Sequence, residues 1–152
     1  MTVQPTQGGA NAVAAGRLWA GGAATAVVAG LIALVGILLA RGVFDVPVLA
    51  PQGEGTWGDA DTAKYTVYCA LAALVATGLL HLLLISTPRP LRFFSWIITL
   101  ATCAAAAAPF LADGSTASKF ATAAINLVVG IAIGGLLTGS ARAAMRDRRT
   151  AR

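Results

Sequence analysis

The chain has few side chains with which to do chemistry: one histidine, two cysteines and six carboxylates among 152 residues. His81 leads, because it is the one ionisable group inside a long apolar stretch. Burying such a group in a membrane segment costs free energy, which marks it as a functional candidate. An imidazole titrating at about 6.5 can relay a proton or contact a ligand. Bonded to a neighbouring hydroxyl, it can equally be a packing residue. Thr77 lies one helical turn earlier. Counting depth from the same membrane face brings Thr25, Ser95 or Thr99, and Thr138 to the level of His81. Asn126, in the last apolar stretch, has the chemistry of an interhelical hydrogen bond. His81, Asn126, Thr77, Ser95 and Thr99 are therefore the candidate intramembrane polar sites.

What the sequence lacks narrows the chemistry further. Cys69 and Cys103 are not in Cys-x-x-Cys spacing, which argues against quinone-linked thiol oxidation and against a cysteine-rich metal module. Both read as small apolar packing residues. A single histidine cannot supply two axial haem ligands. A proton-coupled small multidrug exporter needs a carboxylate inside its first span, yet Asp45, Glu54, Asp59, Asp61, Asp113 and Asp147 all fall outside the apolar stretches. Asp45, Glu54, Asp59 and Asp61 gather in one segment, but no base or nucleophile accompanies them. The residues assign no catalytic group, cofactor or metal, and the expectation is a protein that is not an enzyme.

Composition fixes the kind of element that positions these residues. Apolar side chains make up 57% of the chain and charged ones 11%, with a mean hydropathy of +0.77. Soluble domains run at about 45–50% and about 25%, so there are too few polar groups here to cover a globule in water. An integral membrane protein remains. A spanning helix needs about 20 residues, since roughly 30 Å of hydrocarbon is crossed at 1.5 Å per residue. Four stretches meet that length, at residues 18–40, 64–86, 91–112 and 119–139. The first is longer than the usual signal-peptide core of about 7–15 residues, so it reads as a retained span.

The connections favour an all-α fold, a transmembrane four-helix bundle with antiparallel neighbouring spans. Asp59 and Asp61 are candidate N-caps for the second span, and Ser115 or Ser118 for the fourth. Thr87-Pro88-Arg89-Pro90 stops the second span, because proline cannot continue a helix. That turn and Asp113-Gly114-Ser115-Thr116 are too short to allow anything but antiparallel neighbours. One side of the membrane receives Arg17, Arg89, Arg92, Arg142, Arg146, Arg148, Arg149 and Arg152, eight basic residues; the other receives three, Arg41, Lys64 and Lys119. Basic residues stay on the cytoplasmic side, which makes both termini cytoplasmic. Trp19, Phe93, Phe94 and Trp96 then fall at the inner interface, and Trp57, Tyr65, Tyr68 and Phe110 near the outer one.

Outside the spans, residues 1–16 form an uncharged-looking Gly- and Ala-rich tail that reads as disordered up to Arg17. Residues 41–63 form an outer loop in which Pro47, Pro51, Gly53, Gly55 and Gly58 predict irregular structure. Val46-Pro47-Val48-Leu49 and Trp57 are apolar enough to lie against the membrane or the helix ends. The basic tail, residues 141–152, suits anionic lipid, which attracts each charge by about 1 kcal/mol; nucleic acid is not an expected partner.

Small or weakly polar residues recur at helical spacing in every span. They are Gly22, Ala26 and Gly30 in the first, and Thr66, Ala70, Ala73, Thr77 and His81 in the second. The third carries Ser95, Thr99, Thr102 and Ala106, and the fourth Thr122, Asn126, Gly130, Gly134 and Thr138. Residues so spaced share one helix face, and in lipid such faces bring helices together. The expectation is that these stripes turn inward while Leu, Ile and Val turn to lipid. A homo-oligomer or a partner membrane protein is the other use for such a face.

Leu18-Trp19-Ala20-Gly21-Gly22, Val46-Pro47-Val48-Leu49-Ala50-Pro51, His81-Leu82-Leu83-Leu84, Thr87-Pro88-Arg89-Pro90 and Phe93-Phe94-Ser95-Trp96-Ile97 follow one another in this order. In this the chain resembles a family of small, uncharacterised actinobacterial four-span membrane proteins over residues 17–140. The resemblance implies a bacterial plasma-membrane protein and supplies no catalytic residues. Function then reads as an interaction or accessory membrane subunit, with a small transporter or ligand-binding bundle using a cavity near His81 as the alternative. An enzyme with its site on the outer loop comes third.

Overall fold

The computed structural model describes residues 7–53 and 56–150, with side chains for residues 15–51 and 59–146. Helix α1 runs over Gln7–Gly42, strand β1 over Leu49–Gly53 and strand β2 over Thr56–Asp59. Helices α2 (Thr62–Ser86), α3 (Pro90–Ala107) and α4 (Thr116–Thr150) follow, with a 3-10 turn at Ala108–Leu111 after α3. All four helices are long and apolar enough to cross a membrane, and they form an all-α bundle in which α1 packs on α2 and α4, and α3 on α4 and α2. The start of α1, the end of α4 and the α2–α3 turn lie at one end. The β-hairpin and the α3–α4 connection lie at the other.

Local chemistry accounts for where each element begins and ends. The Asp61 carboxylate accepts hydrogen bonds from the backbone N–H groups of Ala63 and Lys64, at 3.0 and 3.3 Å, and so caps α2. The bond from Lys64 is the main reason the Asp61 carboxyl is held below its ordinary pKa. Thr87 closes α2 with its N–H and its hydroxyl on the Leu83 carbonyl. Pro90 opens α3 at a position where no N–H is needed. Ser115, whose Oγ accepts from the Ser118 N–H at 3.1 Å, caps α4. Asp45 turns the chain off the end of α1 in the left-handed region, φ 52.

The structure goes beyond the sequence reading in three segments. The segment ahead of Arg17 is not irregular throughout: α1 already starts at Gln7, in an alanine-rich stretch of high helix propensity with no proline to break it. Residues 1–6 lie outside the described residues. The basic tail likewise continues α4 as far as Thr150, and residues 151–152 lie outside. The 41–63 loop contains an antiparallel hairpin, with Leu49 opposite Asp59 and Ala50 opposite Gly58. Pro51 is tolerated because a two-stranded ribbon is all edge, where a missing N–H breaks nothing. Glu54 and the side chain of Trp57 lie outside the described residues.

The hairpin is fastened to its own bundle. Val48 and Leu49 are buried, the Leu49 N–H donates to Thr122 Oγ1 at 2.9 Å, and the Ala60 N–H donates to the Val48 carbonyl at 2.7 Å. Arg41, at the end of α1, ion-pairs with Asp59 at 2.6 Å and also donates to the Ala60 carbonyl and, at 3.2 Å, to Thr62 Oγ1. Two of the loop carboxylates, Asp59 and Asp61, are thus spent on holding structure.

The bundle centre is filled by Ala29, Ala33, Ile37, Ala73, Thr77, Leu80 and Leu137, each 0% exposed. Glycines set the helix approach. A Cβ added at Gly22 would stand 2.9 Å from Thr77 Cβ, one at Gly36 2.8 Å from Ile125 Cγ1, and one at Gly130 2.7 Å from Thr102 Cβ. The first joins α1 to α2, the second α1 to α4, and the third α3 to α4. Small residues therefore bring the backbones together, as lipid-embedded helices require.

Candidate functional site

His81 lines a cavity of about 700 Å³ at the end that carries the termini, bounded by Ala15 and Leu18 of α1, Leu84 of α2, Pro88 and Pro90 of the turn, and Ala141 and Met145 of α4. The turn positions the mouth because Pro88 and Pro90 stop α2 and reverse the chain within three residues. The ring of Trp19 tilts over His81 with 6.4 Å between centroids. The cavity does not continue inward. Leu80, beside His81 on α2, and Leu137, one turn deeper than Ala141 on α4, are fully buried, and Thr77 beyond them packs against Gly22.

Of the hydroxyls that the sequence places near His81, two are bonded within their own helices. Thr25 Oγ1 donates to the Gly21 carbonyl at 2.8 Å, and Thr77 Oγ1 to the Ala73 carbonyl at 2.7 Å. Ser95 and Thr99 are exposed on α3. Together with Thr138 they line a separate groove of about 440 Å³ between α3 and α4. The expectation that the α3 stripe turns into the bundle is corrected for Ser95 and Thr99, while Thr102 of the same stripe does pack on α4. α3 is a peripheral helix that fully buries only Phe94. It meets α4 through Thr102 on Gly130 and Ile98 on Gly134, and Ser95 and Thr99, nearer the termini end, stay exposed in the groove beside that contact. Leu and Ile also enter the core alongside the small residues, as Ile37, Leu80, Ile133 and Leu137 show.

Asn126 joins three helices at the opposite end. Its Oδ1 accepts from the Tyr65 hydroxyl of α2 at 2.5 Å, and its Nδ2 donates to the Ala105 carbonyl of α3 at 2.7 Å. Four residues after Ala105 stands Pro109, which has no N–H to complete the helical bond to that carbonyl. The Asn126 amide takes the place of the missing donor. The sequence carried a signal for this arrangement, a proline near the end of a span and an amide in the next one.

Among the described residues no group of three His, Cys, Asp or Glu side chains is placed to hold a metal ion. Cys69 is half-buried and Cys103 exposed, and both are free thiols. A further groove of about 740 Å³ between α1 and α4 is lined by apolar residues alone, from Val28 to Val46 on one side and Ala117 to Val128 on the other. The arrangement offers a dead-end cavity with one imidazole, a polar clamp and two lipid-facing grooves on a filled bundle.

No curated protein and no protein of solved structure matches the chain. A family model does match, over residues 13–143, which takes in all four spanning helices and the hairpin. The chain is a multi-pass membrane protein that belongs to the family of unknown function DUF6069.

Proposed function

We propose that the protein is a non-catalytic accessory or interaction subunit of a bacterial plasma membrane, with both termini cytoplasmic. The observation that supports this reading is the filled centre of the bundle. Ala33, Ala73 and Thr77, with Leu80 and Leu137 nearer the termini end, are all fully buried and pack the interior between the His81 cavity and the hairpin end. The orientation rests on the eight basic residues at the end carrying the termini against three at the other. Anionic lipid at the basic end of α4 is part of the same reading.

A transporter or ligand-binding bundle is the second reading, and the cavity that reaches His81 is what favours it. Its volume is within the range of small-molecule pockets, about 300–1,000 Å³. Reconstitution separates the two. Liposomes containing the full chain are expected to show no proton or solute flux above protein-free liposomes, and His81→Ala is expected to change nothing. Site-specific photocrosslinkers on the exposed faces of α1 and α4 in native membranes are expected to capture one defined membrane protein. Flux that His81→Ala abolishes would overturn the accessory role in favour of transport.

A further inference from the structure

The groove between α3 and α4 is lined in part by residues that helix packing does not use. Gly130 and Gly134 of α4 are accounted for by their contacts with Thr102 and Ile98, but a Cβ at Gly135 would meet nothing within 4 Å. Gly135 lines the open groove between α3 and α4, with Ile131 deeper in the membrane and Thr138 and Arg142 nearer the termini. Residues 131, 135, 138 and 142 lie on one face of α4. Across the groove, Ser95 and Thr99 continue the polar section on α3, and exposed Arg92 is one turn beyond Ser95 on the same helix face. The groove is therefore mainly apolar at depth, where the Thr102 hydroxyl is bonded to the Ile98 carbonyl and Cys103 adds a thiol, rich in hydroxyls near the interface, and cationic at its mouth.

We propose that this groove binds an anionic phospholipid, with an acyl chain along Ile98, Leu127 and Ile131 and the phosphate held by Arg142 beside the hydroxyls of Ser95 and Thr138. Charge complementarity selects the occupant. α3 contains no carboxylate, and α4 contains only Asp147, whose side chain lies outside the described residues. A second copy docking through the same face would bring Arg92 and Arg142 of one chain against those of the other, with no countercharge from either groove. A phosphate supplies that countercharge, and a charge-assisted pair with a guanidinium is among the stronger polar contacts. The inference rests on the part of the accessory-subunit reading that puts anionic lipid at the basic end of α4, and it gives that lipid a place on the protein; the accessory role itself is tested separately, by flux and crosslinking.

Native mass spectrometry of the delipidated full chain, offered an equimolar mixture of phosphatidylglycerol and phosphatidylcholine in mild detergent, tests it. The wild-type chain is expected to retain phosphatidylglycerol in excess. Arg142→Gln should reduce that preference about fivefold, the effect of one basic residue beside an anionic headgroup. Arg89→Gln, which removes the same charge at the same end but from the α2–α3 turn, should leave it unchanged. Gly135→Leu, which fills the groove where the fold has room, should lower retention of both lipids with no change in melting temperature. Equal retention of the two lipids by the wild-type chain would overturn the proposal, as would an Arg89→Gln loss equal to that of Arg142→Gln. So would a two-chain mass that Gly135→Leu converts to one chain, which would make the face an interface between copies.

Discussion

Gly22→Val is expected to lower the melting temperature of the purified chain in mild detergent more than any other single substitution considered. The added Cβ would stand 2.9 Å from Thr77 Cβ, with the Thr77 hydroxyl and methyl closer still. Neither side has room to give, since Thr77 is 0% exposed and lies among Ala73, Ala76 and Leu80. Overpacking of this kind costs about 1–3 kcal/mol in a filled core. In a membrane it also separates two helices whose association rests on that approach. Thr77→Ala in the same chain removes the two nearest atoms and should restore part of the loss. Gly78→Ala is the control: a Cβ there meets nothing within 4 Å, and alanine is the better helix former. Equal melting of wild type and Gly22→Val would show that α1 and α2 do not meet at these residues.

Asn126→Leu is the second large loss expected, about 1–3 kcal/mol. It removes two interhelical hydrogen bonds, each worth about 0.6–1.7 kcal/mol in a membrane, and strands the Ala105 carbonyl that Pro109 leaves without a helical donor. The cause can be isolated by a double-mutant cycle. Pro109→Ala returns an N–H four residues after Ala105, so Asn126→Leu in that background should cost only the bond to Tyr65. The expected coupling is about one hydrogen bond. Strict additivity of the two substitutions would mean that the amide is not standing in for the proline's missing donor.

The four spans were legible because hydropathy and length report directly on a bilayer of fixed thickness. Asp61 and Ser115 were legible as caps because a short oxygen-bearing side chain before an apolar run has few other uses. Spacing alone put Gly22 and Gly130 on close-approach faces, without naming Thr77 and Thr102 as what they meet. The hairpin was not legible: Pro51, Gly53 and Gly55 serve an irregular loop and a tight turn equally, and pairing across only four positions leaves little alternation to read. Ser95 and Thr99 misled for a different reason. A small-residue stripe states that a helix has a face for close approach, but not which neighbour takes it or along what length, and α4 takes only Thr102 of that stripe, with Ile98 beside it, leaving Ser95 and Thr99 exposed. The partners of Asn126 were missed because a proline acts on the carbonyl four residues behind it, a relation that is visible only when two helices are set side by side.

Everything turns on the chain crossing the membrane four times with its two ends on one face. The most direct measurement uses a chain carrying Cys69→Ala and Cys103→Ala, with a single cysteine introduced as Asp45→Cys at the hairpin end or Arg89→Cys in the α2–α3 turn, and a membrane-impermeant maleimide. In intact cells the reagent is expected to label Asp45→Cys and to spare Arg89→Cys until the membrane is opened. Labelling of both sites in intact cells, or of Arg89→Cys alone, would contradict the threading described.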